Sequence, residues 1–196
     1  MKTLICLLVL SPFFLCAQEE EVKILPKEIQ IQTAVLPLPE QQKSGAMVYG
    51  YDESGQLVVL REGSNNMVCV GDNPYRKGIS SSCYSVKLEP FMARGRELNA
   101  LGKSQSERNE IRGSEIESGV LSMPKEPSML YVFFGKEEDY DTSTGALPNG
   151  KFRYVIYTPF ATVESTGLPD KPHAPGMPWL MDPGTHRAHI MVGPFN

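Results

Sequence analysis

Residues 46–51 (AMVYGY) and 56–60 (QLVVL) are apolar runs separated by the polar, glycine-ended Asp52-Glu53-Ser54-Gly55. That arrangement predicts two antiparallel strands joined by a tight turn. A second turn at Gly63-Ser64-Asn65-Asn66 feeds a third apolar run at 67–70, and residues 71–82 (GDNPYRKGISSS) read as a loop. From residue 85 the period changes. Leu88, Phe91, Met92, Gly95, Leu98 and Leu101 recur every three or four positions, the stripe of an amphipathic helix over about 86–101. Pro90 suits its first turn, where a missing N–H costs little, and Gly102 ends it. Residues 104–118 are polar and fit a short exposed helix or a mobile loop. Across both segments Lys87, Arg94, Arg96, Lys103, Arg108 and Arg112 interleave with Glu89, Glu97, Glu107 and Glu110, the pattern of a solvated helix face.

Strand character returns at 129–134 (MLYVFF), apolar on both sides and so expected at the centre of a sheet. Residues 151–157 alternate, with Phe152, Tyr154 and Ile156 expected to face inward. The acidic connection between them (Glu137, Glu138, Asp139, Asp141) lacks the ligand order of a calcium loop and reads as solvated. Residues 188–192 supply a last short strand. Strands, a helix, then more strands predict a single α+β domain: a mainly antiparallel sheet, one main helix and a long proline-rich C-terminal loop. Before it, residues 18–43 form a leader or edge segment that carries charge and Pro26, Pro37 and Pro39; the alternation at 28–32 suggests an edge strand, and residues 18 to about 32 are expected to be dispensable for folding. The domain itself is expected over 44–196.

Residues 1–17 have the form of a secretory signal peptide: Lys2, an apolar stretch at 4–10, then Leu15-Cys16-Ala17. Lipoprotein anchoring through Cys16 is the weaker reading, since the large Leu15 precedes that cysteine. No later run is long and apolar enough for a transmembrane span, so a secreted or periplasmic soluble protein is expected. Removing Lys2 makes the formal charge of −4 one unit more negative, which gives no electrostatic reason to expect nucleic acid as a partner. The signal region holds Cys6 and Cys16. Cys69 and Cys83 remain, and in an oxidising compartment they are expected to form a disulfide. Closing a loop of about 15 residues contributes roughly 3 kcal/mol in the chain-entropy model.

The unusual chemistry lies at 159–191, which holds the three histidines (His173, His186, His189) and the only tryptophan, Trp179. His173, Asp182, His186 and His189 are the candidate ligands of a divalent metal such as zinc, although side chains three apart on a strand point to opposite faces. The bland alternative is histidines that hydrogen-bond loop carbonyls. His189 is also a candidate general base. Phe160, Trp179 and Leu180 are expected to pack the loop over the sheet, with Trp179 mostly buried. At the β-turn, Arg61 is a candidate anchor for a carboxylate ligand through its planar fork, with Glu62 and Asn65 beside it. The simpler reading has Gly63 and the asparagines supplying left-handed turn conformations, and Arg61 pairing with Glu62.

Leu60-Arg61-Glu62-Gly63-Ser64-Asn65, followed by Cys69, Asp72-Asn73-Pro74 and Cys83, resembles a family of small secreted bacterial proteins. The close at Gly184-Thr185-His186-Arg187-Ala188-His189-Ile190-Met191-Val192 is similar to that family's His-x-Met strand. The likeness spans roughly 58–192. It departs at Asn66-Met67, where the family carries Gly-Trp. It implies a coherent fold and the cysteine pair, and no activity. The function expected is a non-catalytic module binding a small molecule or an envelope protein; the alternative is a metal-dependent enzyme using the C-terminal His/Asp cluster.

Overall fold

The computed structural model describes residues 22–194, so the expected signal peptide and Cys16 lie outside the described residues. Eight strands form one sheet in the order β2-β1-β3-β4-β5-β6-β8-β7. They are β1 (Met47–Tyr51), β2 (Leu57–Arg61), β3 (Met67–Val70), β4 (Ile79–Ser85), β5 (Ser128–Gly135), β6 (Lys151–Tyr157), β7 (Trp179–Met181) and β8 (His189–Val192). Every pairing is antiparallel except β1 with β3, because β2 turns outward as a hairpin and β3 returns beside β1.

The first correction precedes β1. Residues 28–32 are not an edge strand but part of helix α1 (Lys27–Ala34), followed by the single turn α2 (Glu40–Lys43). Over five residues the polar–apolar alternation mimics a strand. Over eight, Ile31, Ala34, Val35 and Leu38 fall at helical spacing, and the last three are buried. They pack on Val48, Met67 and the cystine of Cys69 and Cys83. Gln30 then fixes α1 to the end of β1: its amide donates to Tyr51 O (2.9 Å) and accepts from Tyr51 N (2.7 Å). This segment is therefore part of the core and not a leader.

Side-chain alternation covers both faces of the sheet. Val48, Met67, Cys69 and Cys83 meet α1. Their neighbours Met47, Tyr49, Val68, Val70 and Tyr84 point the other way, against Leu88 and Met92. Leu88 ends a short 3₁₀ turn that leads into helix α3 (Glu89–Ala100), with Pro90 in its first turn as expected. The stripe holds at Phe91 and Leu98, both buried, while Leu101 lies beyond the helix end and is exposed. A second helix of similar length, α4 (Gln105–Glu117), follows at once, so the helical layer is not one main helix. Its start is a capping box: Ser104 Oγ accepts from Glu107 N while the Glu107 carboxylate accepts from Ser104 N.

The disulfide joins directly paired residues of β3 and β4, with S–S 2.05 Å and both cysteines fully buried. The irregular stretch between the two strands is shorter than the expected 71–82, since β4 already begins at Ile79. Ile79, Ser81 and Cys83 alternate inward on the α1 side of that strand.

β5 lies inside the sheet as expected, though most of its side chains are only partly covered. On β6 the deepest residue is Val155, not Phe152, Tyr154 or Ile156. The proline-rich segment folds back, with one helical turn α5 (Val163–Thr166) and the edge strand β7. Pro169 O accepts from Leu180 N, covering the outer side of β7. Leu180 takes the buried place there and Phe160 is 57% exposed. Trp179 is mostly covered, as expected, but not fully buried, because it sits on an edge strand paired only with β8.

Candidate functional site

The residues singled out from sequence do not converge. Arg61, Glu62 and Asn65 stand by β2 at one end of the sheet; Trp179 and His189 stand on β7 and β8 at the other. Arg61 spends its guanidinium on backbone carbonyls, those of Ala46 (3.0 Å) and Lys43, and makes no pair with Glu62, which is exposed. Asn65 is a turn brace, donating to Gln42 O (2.8 Å) and accepting from Met67 N (2.9 Å). Neither Gly63 nor the asparagines adopt a left-handed backbone. Gly63 is needed for room instead: a Cβ there would stand 2.8 Å from Met47 N.

The proposed metal shell is not assembled. Among the described residues no group of three or more His, Cys, Asp or Glu side chains could hold a metal ion. Asp182 is ion-paired with Arg187, and His173 is exposed in the proline-rich stretch. His189 lies 5.3 Å from the Tyr157 ring, with Nδ1 2.7 Å from Arg187 O. His186 turns inward between Phe91, at 6.0 Å, and Gly113, where a Cβ would meet its ring at 3.1 Å. Its Nε2 is buried without a hydrogen-bond partner among the described residues, and burial followed by the charges of Arg187 and Arg112 lowers its pKa.

The structure gathers a different set. Between the α3 face of the sheet and helices α3 and α4 runs an open groove of about 1140 Å³. Its sheet wall carries Tyr49, Val70, Ser80 and Ser82; its helical wall carries Met92, Arg96, Arg108 and Arg112; the 72–78 loop closes one side with Arg76 and Lys77. Ser80 and Ser82 share this face because they are two apart on β4.

Part of the lining is already charge-balanced. Glu89 Oε1 accepts from Arg96 Nη2 (2.6 Å) and from Tyr49 OH (3.2 Å), and its Oε2 accepts from Tyr84 OH (2.6 Å). Arg96 also donates to Tyr84 OH and covers the Tyr49 ring at 4.4 Å. Burial, more than any other influence, pushes the Tyr84 hydroxyl pKa up. This closed network forms a rigid wall.

The other arginines in the groove are not balanced. Arg94 and Arg187, outside it, pair with Glu97 and Glu115 and with Asp182. Within it Arg76, Arg108 and Arg112 have no carboxylate partner among the described residues. Arg112 is the extreme case, only 7% exposed. Its donors meet neutral acceptors: Arg108 O (3.2 Å), Phe91 O (3.3 Å) and Asn109 Oδ1 (3.2 Å). The guanidinium lies 4.0 Å above the Phe91 ring, and Gly95 makes room for it, since a Cβ there would stand 2.8 Å from Nη1. Burial, then the charges of Arg187 and Arg108, pull its pKa down from the ordinary arginine value. It stays protonated all the same, because a guanidinium does not release its proton in proteins.

A buried cation without a counter-ion is costly, and an anion that enters beside it removes that cost. A planar guanidinium offers parallel N–H donors to carboxylate or phosphate oxygens. The sequence held a faint signal of this site: Arg108 and Arg112 are like charges four apart on one helix face, an unfavourable pairing unless something neutralises it. Compared with protein-family models, with curated proteins and with solved structures, the chain matches none.

Proposed function

We propose that the protein is a secreted or periplasmic, non-catalytic binding module that takes a small anionic molecule in the groove between the sheet and α3–α4. The observation that carries this reading is Arg112, buried in the groove wall with only neutral hydrogen-bond partners. Arg108, one turn earlier, and Arg76, across the groove, are further cations without acid partners among the described residues. The buried disulfide and the lack of a helix long and apolar enough to cross a membrane, among the described residues, are consistent with a location outside the cytoplasm. The metal-dependent alternative is not carried forward, because its ligands do not meet.

Calorimetric titration with inorganic phosphate tests the reading. Saturable binding should be lost in Arg112→Met and kept in Arg94→Met, whose arginine lies outside the groove. Equal loss in both variants, or no binding to the unaltered protein, would refute it.

A further inference from the structure

Beside the groove is a second, smaller space of about 240 Å³, under the 72–78 loop and against the start of α1. The two share Tyr51, Asp72, Arg76 and Gly78 as lining residues. Most polar groups around the smaller cavity are already engaged. Gln30 uses its amide on Leu25 O (2.7 Å) and on both backbone groups of Tyr51. Thr33 Oγ1 pairs with Tyr140 OH at 2.6 Å. Asp72 and Glu137 accept from the backbone of Ser80 and Gly78, both at 2.8 Å. The surface left to a ligand is Ile24, Leu25, Pro74, Ile79 and the rings of Tyr51 and Tyr140.

The charges of the two spaces also differ. In the cavity Lys23 and Arg76 offset Asp72 and Glu137. In the groove Arg96 is balanced by Glu89, which leaves Arg76, Lys77, Arg108 and Arg112 against Asp72 and Glu97. An uncharged apolar body therefore suits the cavity, and a negative head suits the groove. Arg76 lines both and forms no ion pair among the described residues, which puts a free guanidinium at the junction.

We infer that the ligand is an amphiphilic anion, with a carboxylate or phosphate head in the arginine groove and an apolar body in the adjoining cavity. This rests on the anion reading of the groove and adds the chemistry of the rest of the molecule.

Calorimetry with acetate, butanoate, hexanoate and octanoate, with inorganic phosphate and octan-1-ol as controls, tests it. Affinity should rise about fourfold for each methylene that enters the cavity, the equivalent of about 0.8 kcal/mol per buried CH₂. Ile24→Trp, which fills the cavity from its exposed rim, should remove that gain while acetate and phosphate bind as before. Should that variant fold poorly, Leu25→Asp does the same by placing a charge in the wall. Phosphate binding with no gain along the alkanoate series would overturn the amphiphile and spare the anion reading. The proposal also fails if octanoate binds the folded Ile24→Trp and Leu25→Asp variants undiminished. Octan-1-ol binding as tightly as octanoate would overturn the anion reading and the amphiphile with it.

Discussion

Replacing Arg112 by methionine separates a structural arginine from a binding one, because the two roles predict opposite stability changes. The substitution gives up three hydrogen bonds, to Arg108 O, Phe91 O and Asn109 Oδ1, and the stack on Phe91. Bonds from a charged donor are worth about 1.5–3 kcal/mol each when well made, but these are long, at 3.2–3.3 Å. The cation–π contact adds about 2 kcal/mol when desolvated, and a methionine sulfur on the same ring recovers about 0.3–1.5. Against this stands the desolvation of a guanidinium without a counter-ion, several kcal/mol. Exchanging even paired buried charges for apolar side chains is often neutral or stabilising by about 1–4 kcal/mol. Arg112→Met should therefore be as stable as the unaltered protein, or more stable by about 1 kcal/mol, in ligand-free buffer. Phosphate at a hundred times its Kd should then stabilise the unaltered protein by about 2.7 kcal/mol and the variant by nothing, reversing their order. Urea unfolding followed by fluorescence of Trp179, with and without phosphate, reads both numbers. A loss of about 3 kcal/mol or more in Arg112→Met, with the same phosphate response in both proteins, would show the guanidinium to be a structural brace.

Three further outcomes are expected. Deleting residues 22–38 removes Ala34, Val35 and Leu38 from the core and the Gln30–Tyr51 bonds; thermal unfolding should show loss of the cooperative transition or a fall of many degrees, and an unchanged midpoint would contradict the packed α1. Leu180→Ala, at a fully buried position, should cost about 2–5 kcal/mol in urea unfolding and more than Trp179→Ala at its incompletely buried one; the reverse order would place the tryptophan inside. His186 has a folded-state pKa below its ordinary value of 6.5, so its neutral form stabilises the fold above that pH and the contribution is lost as pH falls from about 6.5 toward the depressed value. The melting temperature should drop over that window, and His186→Gln should flatten the drop; an equal drop in the variant would assign it to other groups.

How much was legible in the sequence follows from how local each signal is. The β1–β2 hairpin, β3, α3, β6 and β8 are carried by runs whose period and turn residues lie within a few positions of one another. Helix α1 looks like a strand in a window of five residues, which sees only Glu28-Ile29-Gln30-Ile31-Gln32, while the stripe that buries it continues to Leu38. The start of β4 was hidden by Ser80-Ser81-Ser82: serines look like loop, yet Ser81 is buried beneath the helical layer that α1 forms over this face. The site was least visible. The mixed charge run at 87–112 has the composition of a solvated face, and only the fold shows which acids reach which arginines. Glu115 and Glu97 reach Arg94 and Glu89 reaches Arg96, while Arg108 and Arg112 are left facing the groove. The histidines drew attention as rare, reactive residues, but packing on Phe91, Gly113 and Tyr157 explains two of them.

The most direct measurement is nitrogen-15 NMR of the arginine side-chain Nε–Hε groups during a phosphate titration at constant ionic strength. Arg112 and Arg108 should shift together along a saturating curve, with Arg94 and Arg187, already held by carboxylates, unmoved. Arginine signals that all drift alike without saturation, or an Arg112 resonance that never moves, would contradict an anion site in the groove.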